Sequence, residues 1–102
     1  MPLLVMSDSS LTEQLRTRLR ALSPRQLNLT NESHLHVGHQ EAGNGAHFRL
    51  HIVSDCFVGL SILARHRLIY DTVGALMEQG IHALSIAAFT FEEHSHRKDS
   101  RS

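Results

Sequence analysis

Several features that would announce a chemistry are missing from this 102-residue chain. There is one cysteine, Cys56, so no internal disulfide can form, and a lone thiol fits a reducing compartment. Ten basic side chains are matched by ten acidic ones. That balance removes any broad electrostatic ground for seeking DNA, RNA or an anionic membrane, and a basic footprint would have to be local. No apolar run approaches the roughly 18 residues of a membrane span. The apolar opening Pro2-Leu3-Leu4-Val5-Met6 is shorter than a signal-peptide core and has no basic region before it. A soluble, cytoplasmic protein is expected. No nucleophile stands beside a base in a recognisable motif and no glycine loop would cradle a phosphate, so the chain is not expected to be an enzyme. Internal repeats and low-complexity segments are absent as well.

Histidine, by contrast, is abundant, with nine copies at positions 34, 36, 39, 47, 51, 66, 82, 94 and 96. Imidazole titrates near neutrality and binds metals, so metal, proton or pH chemistry becomes worth testing.

The length suits one domain with a single modest core. After a flexible start over residues 1–9, Ser10-Leu11-Thr12-Glu13 has capping-box spacing. Leu11, Leu15, Leu19 and Leu22 then recur at helical intervals until Ser23-Pro24, which predicts a helix over about 10–22. Leu27 and Leu29 alternate with polar neighbours, as do Phe48, Leu50 and Ile52, predicting two strands. Between them Asn31 to Ala46 supplies turn formers, three glycines and three histidines. A loop of that length in so small a domain is often functional, because ordering it costs entropy that packing does not obviously return. Ser61 can cap a second helix over about 61–79, in which Ile62, His66, Ile69, Val73, Leu76 and Met77 share a face that ends at Gly80. Ile81 to Phe89 reads as a buried third strand, followed by Thr90-Phe91-Glu92-Glu93, a second capping-box pattern that suits a frayed helical turn. Residues 94–102 are polar and expected to be disordered. The order α-β-β-α-β implies an α+β, two-layer fold with helices on one face of a three-stranded mixed sheet, the third strand reached by a right-handed crossover and parallel to the second.

Ala21-Leu22-Ser23-Pro24, Asn31-Glu32-Ser33, His47-Phe48-Arg49, Ile52-Val53-Ser54, Phe57-Val58-Gly59, Arg65-His66-Arg67-Leu68-Ile69-Tyr70 and Ile81-His82-Ala83-Leu84 occur in one order and spacing. Together they resemble the BolA family over about residues 10–93. The resemblance implies a fold like a class II KH domain, although no two glycines here have the Gly-x-x-Gly spacing with which KH domains grip nucleic acid. It also implies a heterodimer with a monothiol glutaredoxin, in which a [2Fe-2S] cluster is shared between the glutaredoxin cysteine, a glutathione thiol and BolA side chains. His82 matches the family's C-terminal ligand position and His36 the second ligand, in the loop between the first two strands; His34 and His39 are alternates beside it.

A [2Fe-2S] cluster needs four ligands, and two imidazoles can replace two thiolates on one iron. With a single cysteine this chain would have to borrow thiolates, which a glutaredoxin and glutathione would supply, so none is expected in the isolated protein. Cluster trafficking, maturation or iron sensing is the function this implies. The resemblance also implies an alternative, a DNA-binding transcriptional regulator of morphology and stress genes, which would need Arg16, Arg18, Arg20, Arg65 and Arg67 to gather on one face. Arg65 and Arg67 are the candidate nucleic-acid or partner contacts, and a weak homodimer is a further possibility to test. His66, on the apolar stripe, reads as a hydrogen-bonded core residue; His47, Arg49 and His51 read as a solvent-facing strip; Cys56 reads as incidental.

Overall fold

The computed structural model describes residues 8–32 and 46–99. Helix α1 runs Asp8–Leu19 and tightens into a 3₁₀ turn over Arg20–Leu22. It starts before Ser10, so that residue lies inside the helix and is not its cap. Leu11, Leu15 and Leu19 are all buried, as their spacing requires. The turn closes at Ser23, whose left-handed φ of 49° redirects the chain ahead of Pro24.

Strands β1 (Gln26–Asn31), β2 (Ala46–Val53) and β3 (Ile81–Phe89) form one sheet in the order β1-β2-β3. β1 is antiparallel to β2 and β3 parallel to it, the mixed topology expected for a crossover through a helix. The register aligns the apolar alternation across all three strands: Leu29, Leu50 and Ile86 lie in one row, and Leu27, Ile52 and Ala88 in the next. Against this face pack α1 and α2 (Ile62–Val73), whose Ile69 and Val73 are buried with Phe57 and Leu76 in a single core.

Ser61 caps α2, its side-chain oxygen accepting from the Ala64 N–H at 3.1 Å. The helix does not run to 79. It breaks at Gly74, whose φ of 56° ends the α-helix, and continues as a 3₁₀ turn over Gly74–Glu78. Ile62, expected on the buried face, stands 60% exposed, and His66 is half-buried and not a core residue.

Disorder is expected from His94, yet Phe91–Asp99 form a helix, α3. The Thr90 capping box is present: Thr90 Oγ1 accepts from the Glu93 N–H at 3.1 Å and Glu93 Oε1 accepts from the Thr90 N–H at 2.9 Å. This helix lies on the sheet face opposite α1 and α2. Its His94 ring centroid is 5.5 Å from that of His51, and the Arg97 guanidinium sits 4.7 Å over the Phe89 ring. His51 is therefore half-buried against a helix and does not belong to an open polar strip.

Candidate functional site

One end of the sheet carries the histidine singled out for ligation. β2 and β3 pair Ala46 with Ile81, then His47 with Ala83, so β3 advances two residues while β2 advances one. His82 is the extra residue, at a break in the ladder. Such bulges interrupt pairing and are over-represented beside functional sites. The break is pinned on both sides: the Ala46 N–H donates to Gly80 O and the Glu32 N–H to His47 O, each at 2.7 Å. Gly80 itself is forced by the packing, since its φ is 135° and an added Cβ would stand 3.1 Å from Leu11 Cδ1.

The segment from 33 to 45 leaves the sheet at Glu32 and re-enters at Ala46, beside the first residue of β3. Both of its stems are therefore at the His82 end. His34, His36 and His39 lie on this segment, outside the described residues. Glu32, at the outgoing stem, is paired with Arg49 through an Nε to Oε2 contact of 2.7 Å, which raises the guanidinium's proton affinity.

Cys56 is far from this end. It follows the last residue of β2, and the eight residues of that strand span about 23 Å at the strand rise. Its backbone N–H donates to Ser54 Oγ at 3.1 Å, and the buried Ser54 hydroxyl donates in turn to Leu22 O. The chain's only thiol thus cannot join His82 in one ligand set. Among the described residues no group of three or more His, Cys, Asp or Glu side chains could hold a metal ion.

The family model for BolA-like proteins matches residues 19–93. The chain belongs to the BolA family. DNA-binding transcriptional regulator BolA of Escherichia coli is 37% identical over 82 residues, covering 79% of this chain and 76% of that one. The BolA domain of SufE1 from Arabidopsis thaliana is 44% identical with a TM-score of 0.70, over 79% of this chain and 92% of the domain. Within the full SufE-like protein 1 the match spans only 21% of the length. A bol-like protein from Babesia bovis, 34% identical with a TM-score of 0.73, covers 95% of this chain and 99% of its own.

On this BolA fold the arginines do not form one face. Arg65, a candidate contact residue, is only 5% exposed. Its Nε donates to Leu60 O at 2.9 Å and its Nη1 to Ala88 O at 3.1 Å, while Nη1 and Nη2 grip Glu93 at 2.7 and 3.0 Å. It ties α2, β3 and α3 together and is not available to a ligand. Arg16 pairs with Glu13, and Arg18 reaches Val73 O across the helix interface. Arg67 remains exposed on the outer side of α2.

Two features of the BolA domain escape sequence reasoning. Glu93 carries the charge that balances Arg65, and that guanidinium, with the Thr90 N–H, holds its carboxyl down at about 2. His51 faces His94 and Arg97; burial, reinforced electrostatically by those two neighbours, pushes its imidazole below the ordinary value. The Thr90 capping box was the available signal for the first, and the strand alternation hid the second. Among the described residues no helix is long and apolar enough to cross a membrane.

Proposed function

We propose that this chain acts as a BolA-type partner of a monothiol glutaredoxin, lending histidine ligands to a [2Fe-2S] cluster that is carried as cargo for delivery or iron sensing in the cytoplasm. The observation that carries the reading is the place of His82, the extra residue of a bulge at the sheet end where the segment bearing His34, His36 and His39 leaves and returns. A second argument is the donor inventory. The one thiol is at the opposite end, so this chain supplies imidazoles and a glutaredoxin cysteine with glutathione supplies thiolates. His82 and His36 would be the two protein ligands, with His34 or His39 standing in for His36. Imidazole in place of thiolate removes negative charge, which raises the cluster's potential and leaves ligands that protonate near neutral pH.

The test mixes the purified chain with cluster-loaded monothiol glutaredoxin and glutathione under anaerobic conditions and follows visible absorption and circular dichroism. The expected result is a new spectrum that His82→Ala abolishes and His36→Ala weakens. An unchanged spectrum with the unaltered chain would overturn the reading.

The DNA-binding reading draws on the name of the Escherichia coli relative. Against it stand the burial of Arg65 and the pairing of Arg16 with Glu13, which take two of the five arginines out of any shared basic face. A mobility shift with a steep inverse dependence on salt, lost in Arg67→Ala, would put it first.

A further inference from the structure

Three basic side chains meet where α3 crosses the outer face of the sheet. His51, on β2, has Asn28 of β1 and Ala87 of β3 as its cross-strand neighbours, and neither is charged. From α3 the His94 ring stands edge-on with its centroid 5.5 Å from that of His51. The Arg97 guanidinium lies 4.7 Å over the ring of Phe89, which is itself 5.2 Å from the His51 ring. His94 and Arg97 both disfavour a proton on His51, and among the described residues no carboxylate favours one. His51 Nδ1 is buried and makes no hydrogen bond to another residue. A buried polar atom without a partner is uncommon in a native fold, and an unseen ion is one of its ordinary explanations.

We propose that His51, His94 and Arg97 form a binding site for a small tetrahedral oxyanion, a phosphate or a phosphate monoester, between α3 and the sheet. Arginine presents a planar fork of N–H donors that matches phosphate oxygens, and each protonated imidazole adds two donors. Arg97 is exposed while His51 and His94 are half-buried, so the site opens to solvent at the arginine and narrows to a region where charge-assisted bonds are stronger. A divalent metal is the poorer occupant. Two imidazoles are present, no third His, Cys, Asp or Glu completes a set among the described residues, and Arg97 repels a cation. Binding is coupled to protonation, because the anion supplies the negative charge that His51 has no carboxylate to provide. Affinity therefore rises as pH falls through the imidazole range, and bound anion in turn raises the proton affinity of His51. The site is independent of cluster ligation: His51 is four residues along β2 from His47, about 13 Å away from the His82 end.

The experiment follows the imidazole resonances of the full chain by NMR from about pH 8 to about 5, at constant ionic strength set with chloride, with and without inorganic phosphate. Sulfate, whose charge is constant over this range, is the second probe. Either anion at saturation should raise the proton affinity of His51 about tenfold, which equals tenfold tighter binding to the protonated form. Arg97→Gln should weaken binding at about pH 6 by tenfold or more, since it removes charge-assisted bonds, and Arg97→Lys should recover part of that loss. His94→Gln should weaken binding and flatten its pH dependence. Phenyl phosphate separates the two sources: tighter binding than inorganic phosphate marks a monoester, and equal or weaker binding marks the free ion. A His51 titration that neither anion moves, or a response of the same size in Arg97→Gln and His94→Gln, as general salting would produce, overturns the proposal.

Discussion

Deleting the Arg65 guanidinium should cost far more than an ordinary surface ion pair. Arg65→Met keeps most of the aliphatic stem that packs in the interior and removes the donors. Ala88 O is then left buried without the donor it has now, at a cost of about 1–3 kcal/mol. Leu60 O is only partly buried, and water can recover some of its lost bond. Glu93 also loses its partner, but its side chain is 45% exposed and rehydrates, so its share is discounted to about 0.5–1 kcal/mol. The expected total is about 2–4 kcal/mol, or roughly 10–20 °C in Tm for a domain of this size. Glu93→Gln keeps both carbonyl bonds and one acceptor for the guanidinium, and should cost about 1–2 kcal/mol.

Urea titrations of the two single variants and the double variant check this, because a shared interaction makes the double variant less destabilised than the two losses combined. The pH dependence adds a separate sign. A carboxyl held at about 2 in the folded state and near its ordinary value of 4.5 when unfolded contributes stability above 4.5, and loses it as pH falls from there to about 2. Glu93→Gln should flatten that acid limb. A loss below about 0.5 kcal/mol for Arg65→Met, or strictly additive losses in the double variant, would mean that the contact is no more than a surface pair and that α3 is held by something else.

The remaining perturbations follow from single contacts. Because the His51 imidazole is pushed below its ordinary value of 6.5, the folded state takes up its proton later than the unfolded chain; stability is complete above 6.5 and declines as pH falls through that value toward the folded one. Urea midpoints measured from about pH 7.5 to about 5 should show this decline, and His94→Ala should reduce it by removing one of the two neighbours that lower the His51 value. Gly80→Ala should lower stability by about 1–3 kcal/mol, from the strained φ and the approach to Leu11, and a normal melting temperature would contradict the tight fit. Ser54→Ala should cost about 1–3 kcal/mol, since it strips a donor from Leu22 O and an acceptor from the Cys56 N–H. Thermal denaturation reads both.

How far the sequence could be read depended on the range of the interactions involved. The three strands and the buried faces of α1 and α2 were legible because apolar periodicity reports burial directly: Leu11, Leu15 and Leu19, or Phe48, Leu50 and Ile52, are buried wherever a single core forms. The end of α2 is not fixed by sequence, because Gly74 and Gly80 both look like stop signals, and only the backbone shows that Gly74 breaks the α-helix and Gly80 serves a close approach by Leu11. α3 is not legible beyond its first turn because Glu92 to Asp99 has no apolar stripe. It is held by Arg65, 28 residues before Glu93, and by rings on the far side of the sheet, and no local pattern encodes either.

The same division explains the candidate site. The resemblance picked out His82 from a four-residue motif, but its position as the extra residue of a bulge depends on the register between β2 and β3 and on the bonds of Ala46 and Glu32. From sequence Arg65 reads the other way, as a contact, because an arginine beside an apolar stripe looks solvent-facing until its partner is known. The two residues sit at opposite ends of the crossover. At the Ala88 end, the Arg65 to Glu93 pair joins α2, β3 and α3. At the Ile81 end, the ladder is broken beside the ends of β1 and β2 from which the segment 33–45 leaves and returns. If His82 ligates as proposed, the far end holds the fold independently of it, so substitutions at Arg65 should lower stability with cluster transfer unchanged per folded molecule, and substitutions at His82 should do the reverse.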